Sequence, residues 1–167
     1  MRYFPAAVAL SLLAGVTASV GYGAPEQPDP AALALEKTGE QLLAAGKMAD
    51  AIGTFEAALA VDPGYTRVYL HLAEAARNEG LQGKAIHYYR LALAREPNNL
   101  AAISGEGQAM VEKGAVEKAR RNLAQLRSIC GTGCAEAKDL AVALERGPRA
   151  AVLTAEAVTP SPVVTKN

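Results

Sequence analysis

Residues 46–63 read GKMADAIGTFEAALAVDP, residues 80–97 read GLQGKAIHYYRLALAREP, and residues 114–131 read GAVEKARRNLAQLRSICG. Each stretch begins 34 residues after the previous one, and five columns match in all three copies, which indicates an internal repeat. The columns are Gly46, Gly80 and Gly114; Ala51, Ala85 and Ala119; Phe55, Tyr89 and Leu123; Ala58, Ala92 and Leu126; and Pro63, Pro97 and Gly131.

Each column has a physical reason. The glycines fit the end of one helix, because a helix C-terminus favours a residue that tolerates positive φ. The alanines of the second column lie early in a second helix, where a methyl group lets two helix backbones approach closely. Four residues later comes a large side chain on the same helix face. Proline then ends the unit because it cannot donate into a continuing helix. The repeat therefore predicts two helices per unit.

Turn and cap residues place these helices along the chain. Asp29-Pro30 combines an N-cap with a proline at the first helical position, so the first helix should start there. No stretch alternates apolar and polar residues over the length of a strand, so we expect an all-α fold without a sheet. The predicted helices are at about 30–45, 48–61, 66–79, 83–95, 98–113, 115–130 and 134–146.

Residues 32–131 resemble three tetratricopeptide repeats, a family of 34-residue helix–turn–helix units. The resemblance rests on the small and large residues at five family positions. It implies a right-handed α-solenoid with repeats at about 32–65, 66–99 and 100–133, in a domain spanning 30–146 after a linker at 24–29. The matching residues are Gly39, Ala51, Phe55, Ala58 and Pro63; Ala73, Ala85, Tyr89, Ala92 and Pro97; and Gly107, Ala119, Leu123, Leu126 and Gly131, of which the last two depart from the family pattern.

The segment 134–146 is predicted to cap the array. The last repeat of a solenoid exposes an apolar face unless another element covers it. One face of this segment is apolar and the other is charged. The apolar residues are Ala137, Leu140, Ala141 and Leu144, and the charged ones are Glu136, Lys138, Asp139, Glu145 and Arg146.

By resemblance, the first helices of the repeats line a concave groove that binds a protein or a peptide. We expect an extended or helical peptide with both apolar and charged contacts. Some family members grip a partner's C-terminal carboxylate with Lys and Asn side chains, but Glu36 and Glu40 would repel a carboxylate here. The candidate groove residues are Glu36, Glu40, Arg67, Leu70, Glu74, Arg77, Asn78, Ser104 and Gln108.

Cys130 and Cys134 flank Gly-Thr-Gly between the last repeat helix and the capping helix. The chain must reverse there, which can bring two α-carbons within bridging distance. An even cysteine count favours a disulfide in an exported protein, and residues 1–23 have the pattern of an export signal. A thioredoxin-like redox pair is the alternative, although the cysteines of that motif are separated by two residues and these are separated by three. We predict a structural disulfide that fastens the capping helix to the last repeat.

Composition and motifs favour a binding protein over an enzyme. The 17 basic and 17 acidic residues give no global field that would attract nucleic acid. His71 and His87 lie on different predicted helices without a catalytic partner at a diagnostic spacing. The sequence therefore predicts no active site, no cofactor, no metal site and no small-molecule substrate.

The first 23 residues resemble an export signal. Arg2 precedes an uncharged apolar run at 6–20, and small residues follow, so cleavage after Gly23 is expected. An uncleaved membrane anchor is the alternative. Residues 147–167 contain three prolines and are expected to form a flexible tail. The leading hypothesis is a periplasmic adaptor in envelope assembly or secretion, and a module that associates with itself is the second possibility.

Overall fold

The computed structural model describes residues 27–148, which form seven α-helices and no strand. The predicted signal peptide and residues 149–167 of the predicted tail lie outside the described residues. The expectation of an all-α repeat solenoid is confirmed. The helices are α1 (Pro30–Ala44), α2 (Met48–Val61), α3 (Thr66–Asn78), α4 (Gln82–Arg95), α5 (Leu100–Glu112), α6 (Val116–Cys130) and α7 (Ala135–Arg146).

The repeated glycines end the first helix of each pair in the same way. Gly46, Gly80 and Gly114 have φ of 73°, 77° and 84°, a region that residues with a side chain rarely adopt. After α1, the Gly46 amide donates to the Leu43 carbonyl at 3.0 Å and the Lys47 amide to the Leu42 carbonyl at 2.9 Å. The same pair of bonds follows α3 and α5. Each glycine thus satisfies carbonyls that the helix end leaves unpaired.

Side-chain caps fix two helix starts. The Asp29 carboxylate accepts from the Ala31 amide at 2.7 Å, and Pro30 occupies the first helical position as predicted. The Asn99 side chain accepts from the Ala102 amide at 2.9 Å. Helix α5 therefore begins at Leu100, two residues later than the 98–113 interpretation, because Asn99 acts as its cap.

The repeat columns form the interior of the stack. Ala51, Ala85 and Ala119 are all 0% exposed, which fits the close backbone approach that the sequence predicts. The large residue four positions later is also buried in each unit. In the first unit this residue is Phe55, and its ring fills the space beside Gly39 so closely that a side-chain carbon there would overlap it.

Helix α7 covers the end of the array. It packs on both α5 and α6, and Leu140 is 0% exposed while Val142 on the opposite side is 50% exposed. The buried residues form two clusters, one centred on α1–α3 and one extending from α3 to α7, and Leu59 and Tyr88 pack against both. Among residues 27–148, no helix combines the length and apolarity needed to cross a bilayer.

Candidate functional site

The first helices of the pairs, α1, α3 and α5, together with α7, contribute one continuous surface. Polar side chains join each helix of this row to the next. His71 of α3 contacts Glu36 of α1, Arg77 of α3 contacts Glu112 of α5, and Ser104 of α5 contacts α7. We call this surface the inner surface, and all the candidate groove residues of the sequence analysis belong to its helices α1, α3 and α5.

Glu36 is the centre of the contacts between α1 and α3. Its side chain is only 5% exposed. Oε1 accepts from Arg67 Nε at 2.9 Å and lies 3.0 Å from His71 Nε2, while Oε2 accepts from the Tyr65 hydroxyl. Burial and, to a smaller extent, the hydrogen bond to Glu36 together raise the pKa of Tyr65 to about 12. A buried carboxylate thus has three partners, as a buried charge requires.

His71 is held between an aromatic ring and two carboxylates. Its ring stacks on Phe55 at a centroid distance of 4.9 Å, with 6° between the ring planes. Its Nε2 atom lies 3.5 Å from Glu40 Oε1 in addition to the contact with Glu36. Ligand atoms of Glu36, Glu40 and His71 all lie within 4.8 Å of one another, so these three residues could hold a metal ion. Arg67 contacts the same two carboxylates.

Arg77 joins α3 to α5. Its Nη2 atom donates to Glu112 Oε1 at 2.8 Å and to Gln108 Oε1 at 3.1 Å. Burial alone would lower the pKa of Arg77, but hydrogen bonds to Glu112 and Tyr89 outweigh it, so the pKa lies above the usual arginine value. Burial also raises the pKa of the Tyr89 hydroxyl, although Arg77 opposes this effect. Arg77 is therefore a charged residue that connects α3 to α5 along the inner surface.

The same network continues to the capping helix. Gln108 Nε2 donates to Ser104 Oγ at 3.2 Å, and Ser104 Oγ donates to the Glu136 carbonyl at 3.0 Å. The Ser104 hydroxyl therefore connects α5 to α7, and the residue is only 4% exposed. Four candidate residues thus already have partners within the protein, and we call them the wall of the inner surface: Glu36, Arg77, Ser104 and Gln108.

Three other candidate residues differ in their exposure to solvent. Glu74 and Asn78 are exposed, and Leu70 is partly buried. Glu74 lines a cavity of about 170 Å³ between α3, α5 and α7, whose lining also includes Arg77 and two further acidic residues, Glu136 and Asp139. Within residues 27–148 none of these three carboxylates forms a salt bridge. The lining of this cavity therefore contains three acidic side chains without a salt bridge to any described residue, and the partly buried Leu70 lies one turn before Glu74 on α3.

Sequence reasoning missed Glu136, Asp139 and the carboxylate partners of His71. The sequence showed no catalytic partner for His71 at a diagnostic spacing, and the structure places Glu36 and Glu40 beside it because residues of one repeat pair with residues of the next. His71 follows Glu36 by 35 residues, and Glu112 follows Arg77 by 35. The residues of each pair are separated by one repeat period plus one position, a spacing that could have identified both pairs in the sequence.

The sulfurs of Cys130 and Cys134 lie at bonding distance, and their α-carbons are 5.9 Å apart. The two residues meet where α6 ends and α7 begins. Gly131, between them, has a φ of 78°, which lets the chain reverse.

Comparison with known proteins identifies the fold. No protein-family model and no curated protein matches the sequence. The first TPR domain of Spaghetti (RPAP3), bound to the HSP90 peptide SRMEEVD, has a TM-score of 0.63 and 21% identity, covering 70% of this chain and 91% of that one. The first TPR domain of human RPAP3 has a TM-score of 0.61 and 22% identity, covering 70% and 94%. The Yersinia enterocolitica type III secretion chaperone SycD, in complex with a peptide of the translocator YopD, has a TM-score of 0.59 and 20% identity, covering 68% and 86%. The chain thus has a TPR-like fold.

Proposed function

We propose that this protein is a non-catalytic adaptor that binds a segment of a partner protein on its inner surface. One observation carries the proposal. Some polar side chains of that surface bind one another and are held in place, whereas others are accessible to a partner. A prearranged wall reduces the conformational entropy that binding costs. The similarity to RPAP3 and SycD, both solved with bound peptides, supports a peptide as the ligand.

The proposed segment is cationic and carries an apolar side chain. Glu74, Glu136 and Asp139 surround the cavity between α3, α5 and α7, so a Lys or Arg side chain would meet three carboxylates there. Leu70, on the same helix as Glu74 and one turn before it, offers an apolar contact. Arg77 also lines the cavity, but its charge is engaged by Glu112.

Selection from a displayed library of random peptides tests this proposal. We expect peptides enriched in Lys or Arg next to an apolar residue, with affinity that falls as salt rises. The double variant Glu74→Lys and Asp139→Lys should weaken binding of the selected peptides by about tenfold or more, because both carboxylates become cations. The peptide SRMEEVD serves as the acidic control and should not bind.

The control variant is Glu56→Lys, which makes one such carboxylate-to-lysine change instead of two, on an exposed position of α2 away from the inner surface. This variant should bind the selected peptides as the wild type does. If selection enriches no peptides, or if Glu56→Lys weakens binding as much as the double variant does, the inner surface is not the binding site.

We further propose that the protein is exported to the periplasm and acts there in envelope assembly or secretion. The basic start, apolar run and small residues of the first 23 positions support this location. Sequencing the N-terminus of the protein purified from a periplasmic extract should find Ala24 first. Recovery with the membrane fraction and an intact N-terminus would favour the anchor alternative.

The proposed compartment is consistent with a disulfide between Cys130 and Cys134. Closing this short loop should stabilise the fold by about 2 kcal/mol in the chain-entropy model. Denaturation with and without reductant measures the difference, and the variant with both cysteines replaced by serine should not respond to reductant. A pair that exchanges rapidly with glutathione would instead favour redox chemistry.

A further inference from the structure

We propose that Glu36, Glu40 and His71 form a site for a borderline divalent cation such as Zn²⁺, on the inner surface between the first and second repeats. Two carboxylates and one imidazole are ligands that suit zinc. This site is separate from the peptide cavity between α3, α5 and α7, and it does not depend on peptide binding.

The distances between the ligand atoms are close to those around a tetrahedral ion. Bonds of about 2.0–2.2 Å to zinc separate neighbouring ligand atoms by about 3.3–3.6 Å. His71 Nε2 lies 3.0 Å from Glu36 Oε1 and 3.5 Å from Glu40 Oε1. The Glu40 distance lies in this range, and a small separation of Glu36 Oε1 from His71 Nε2 would bring their distance into it, so the three residues could supply three corners of a tetrahedron and water the fourth.

Neighbouring side chains already orient two of the three ligands. The Tyr65 hydroxyl binds Glu36 Oε2, which leaves Oε1 directed toward His71. The stack on Phe55 fixes the plane of the His71 ring, and its Nε2 atom points to the carboxylates. Such outer contacts hold metal ligands in their binding orientation. Glu36 and Glu40 are also one turn apart on α1, so they share a helix face.

Arg67 is the group that competes with the cation. Its Nε and Nη2 atoms lie 2.9 Å from Glu36 Oε1 and 3.2 Å from Glu40 Oε1, the same oxygens that would bind the metal. The Arg67 side chain is 61% exposed, whereas that of Glu36 is 5% exposed. Arg67 can therefore move into solvent while the carboxylates stay in place. If the cluster were only a set of ion pairs, zinc would have no effect on it.

Calorimetric titration of the oxidised full-length protein with zinc chloride tests the site. We expect one zinc ion per chain, and no binding of magnesium at the same concentrations, because magnesium favours six oxygen ligands. His71→Asn and Glu40→Gln should each weaken zinc binding by at least about tenfold, since each removes a direct ligand. Glu40 is partly exposed, so its variant should fold even if a change at Glu36 does not.

The variant Arg67→Ala distinguishes a zinc site from a cluster that forms only ion pairs. Removing the competing positive charge should tighten zinc binding by about tenfold, although it removes two ion pairs. His87→Asn is the matched control, because the sequence has two histidines and His87 lies outside the cluster. Its zinc affinity should equal that of the wild type.

Hydrogen exchange gives a second readout. Zinc should slow amide exchange in α1 and α3, which the site would bridge, and should not do so in His71→Asn. The proposal is overturned if wild-type protein binds no zinc, if His71→Asn binds it as tightly as wild type, or if Arg67→Ala binds it more weakly.

Discussion

At the scale of single residues, the repeat imposes different demands on glycines that look alike in the sequence. Gly39 and Gly53 both lie inside helices of the first repeat, α1 and α2. A side-chain carbon at Gly39 would overlap the Phe55 ring, whereas one at Gly53 would meet nothing within 4 Å. The family resemblance singles out Gly39 but gives no account of Gly53, which occupies no repeat column.

Gly39→Ala should therefore destabilise the fold by about 1–3 kcal/mol, because the buried Phe55 ring must move. Gly53→Ala should stabilise it by about 0.5–1 kcal/mol, since alanine is the better helix former. Urea denaturation of both variants measures the difference. Equal free energies of unfolding for the two variants would mean that Phe55 does not pack on Gly39.

The tyrosine that binds Glu36 makes stability depend on pH. In the folded protein the pKa of Tyr65 is raised from 10.0 to about 12, so the folded state favours the neutral phenol. The resulting stabilisation is complete below the unfolded pKa of 10.0 and is lost as pH rises through the folded value of about 12. Denaturation across this range should show a steeper loss of stability in wild type than in Tyr65→Phe. Parallel curves would contradict the assignment.

At the scale of helices, the sequence predicted where helices end and which faces they bury better than it predicted which helices contact one another. The glycine column marked where α1, α3 and α5 end, and their positive φ values confirm the reason. The start of α5 differed because the side chain of Asn99 caps the helix, and a cap residue also fits the helical pattern. Neither pattern specifies which helix a given face contacts, so the link from Ser104 to α7 could not be predicted.

The capping helix α7 gives a prediction at this scale. Leu140 is buried and packs against Gly107, where an added side-chain carbon would lie 2.6 Å from Leu140 Cδ2. Leu140→Ala should cost about 2–5 kcal/mol, because it opens a cavity where α7 meets α5. Val142→Ala, on the exposed side of the same helix, should change stability by less than about 0.5 kcal/mol. If both variants lose the same stability, α7 does not cap the stack.

At the scale of the whole molecule, the even charge composition hides a local separation of charge. The sequence carries 17 basic and 17 acidic residues, so it predicted no strong field. Stacking then brings Glu74, Glu136 and Asp139 to one cavity from helices that are distant along the chain. Two of these residues were expected only to face water on the capping helix. Periodicity thus predicts the scaffold, whereas the character of the surface depends on contacts between repeats.

The most direct test of the account is chemical-shift mapping of the isotopically labelled protein with a cationic peptide selected as described above. We expect shifts at Leu70, Glu74 and Asp139 and along α3, α5 and α7, with little change on the outer helices α2, α4 and α6. Shifts concentrated on α2, α4 or α6 would contradict the proposal, because the partner would then bind outside the inner surface.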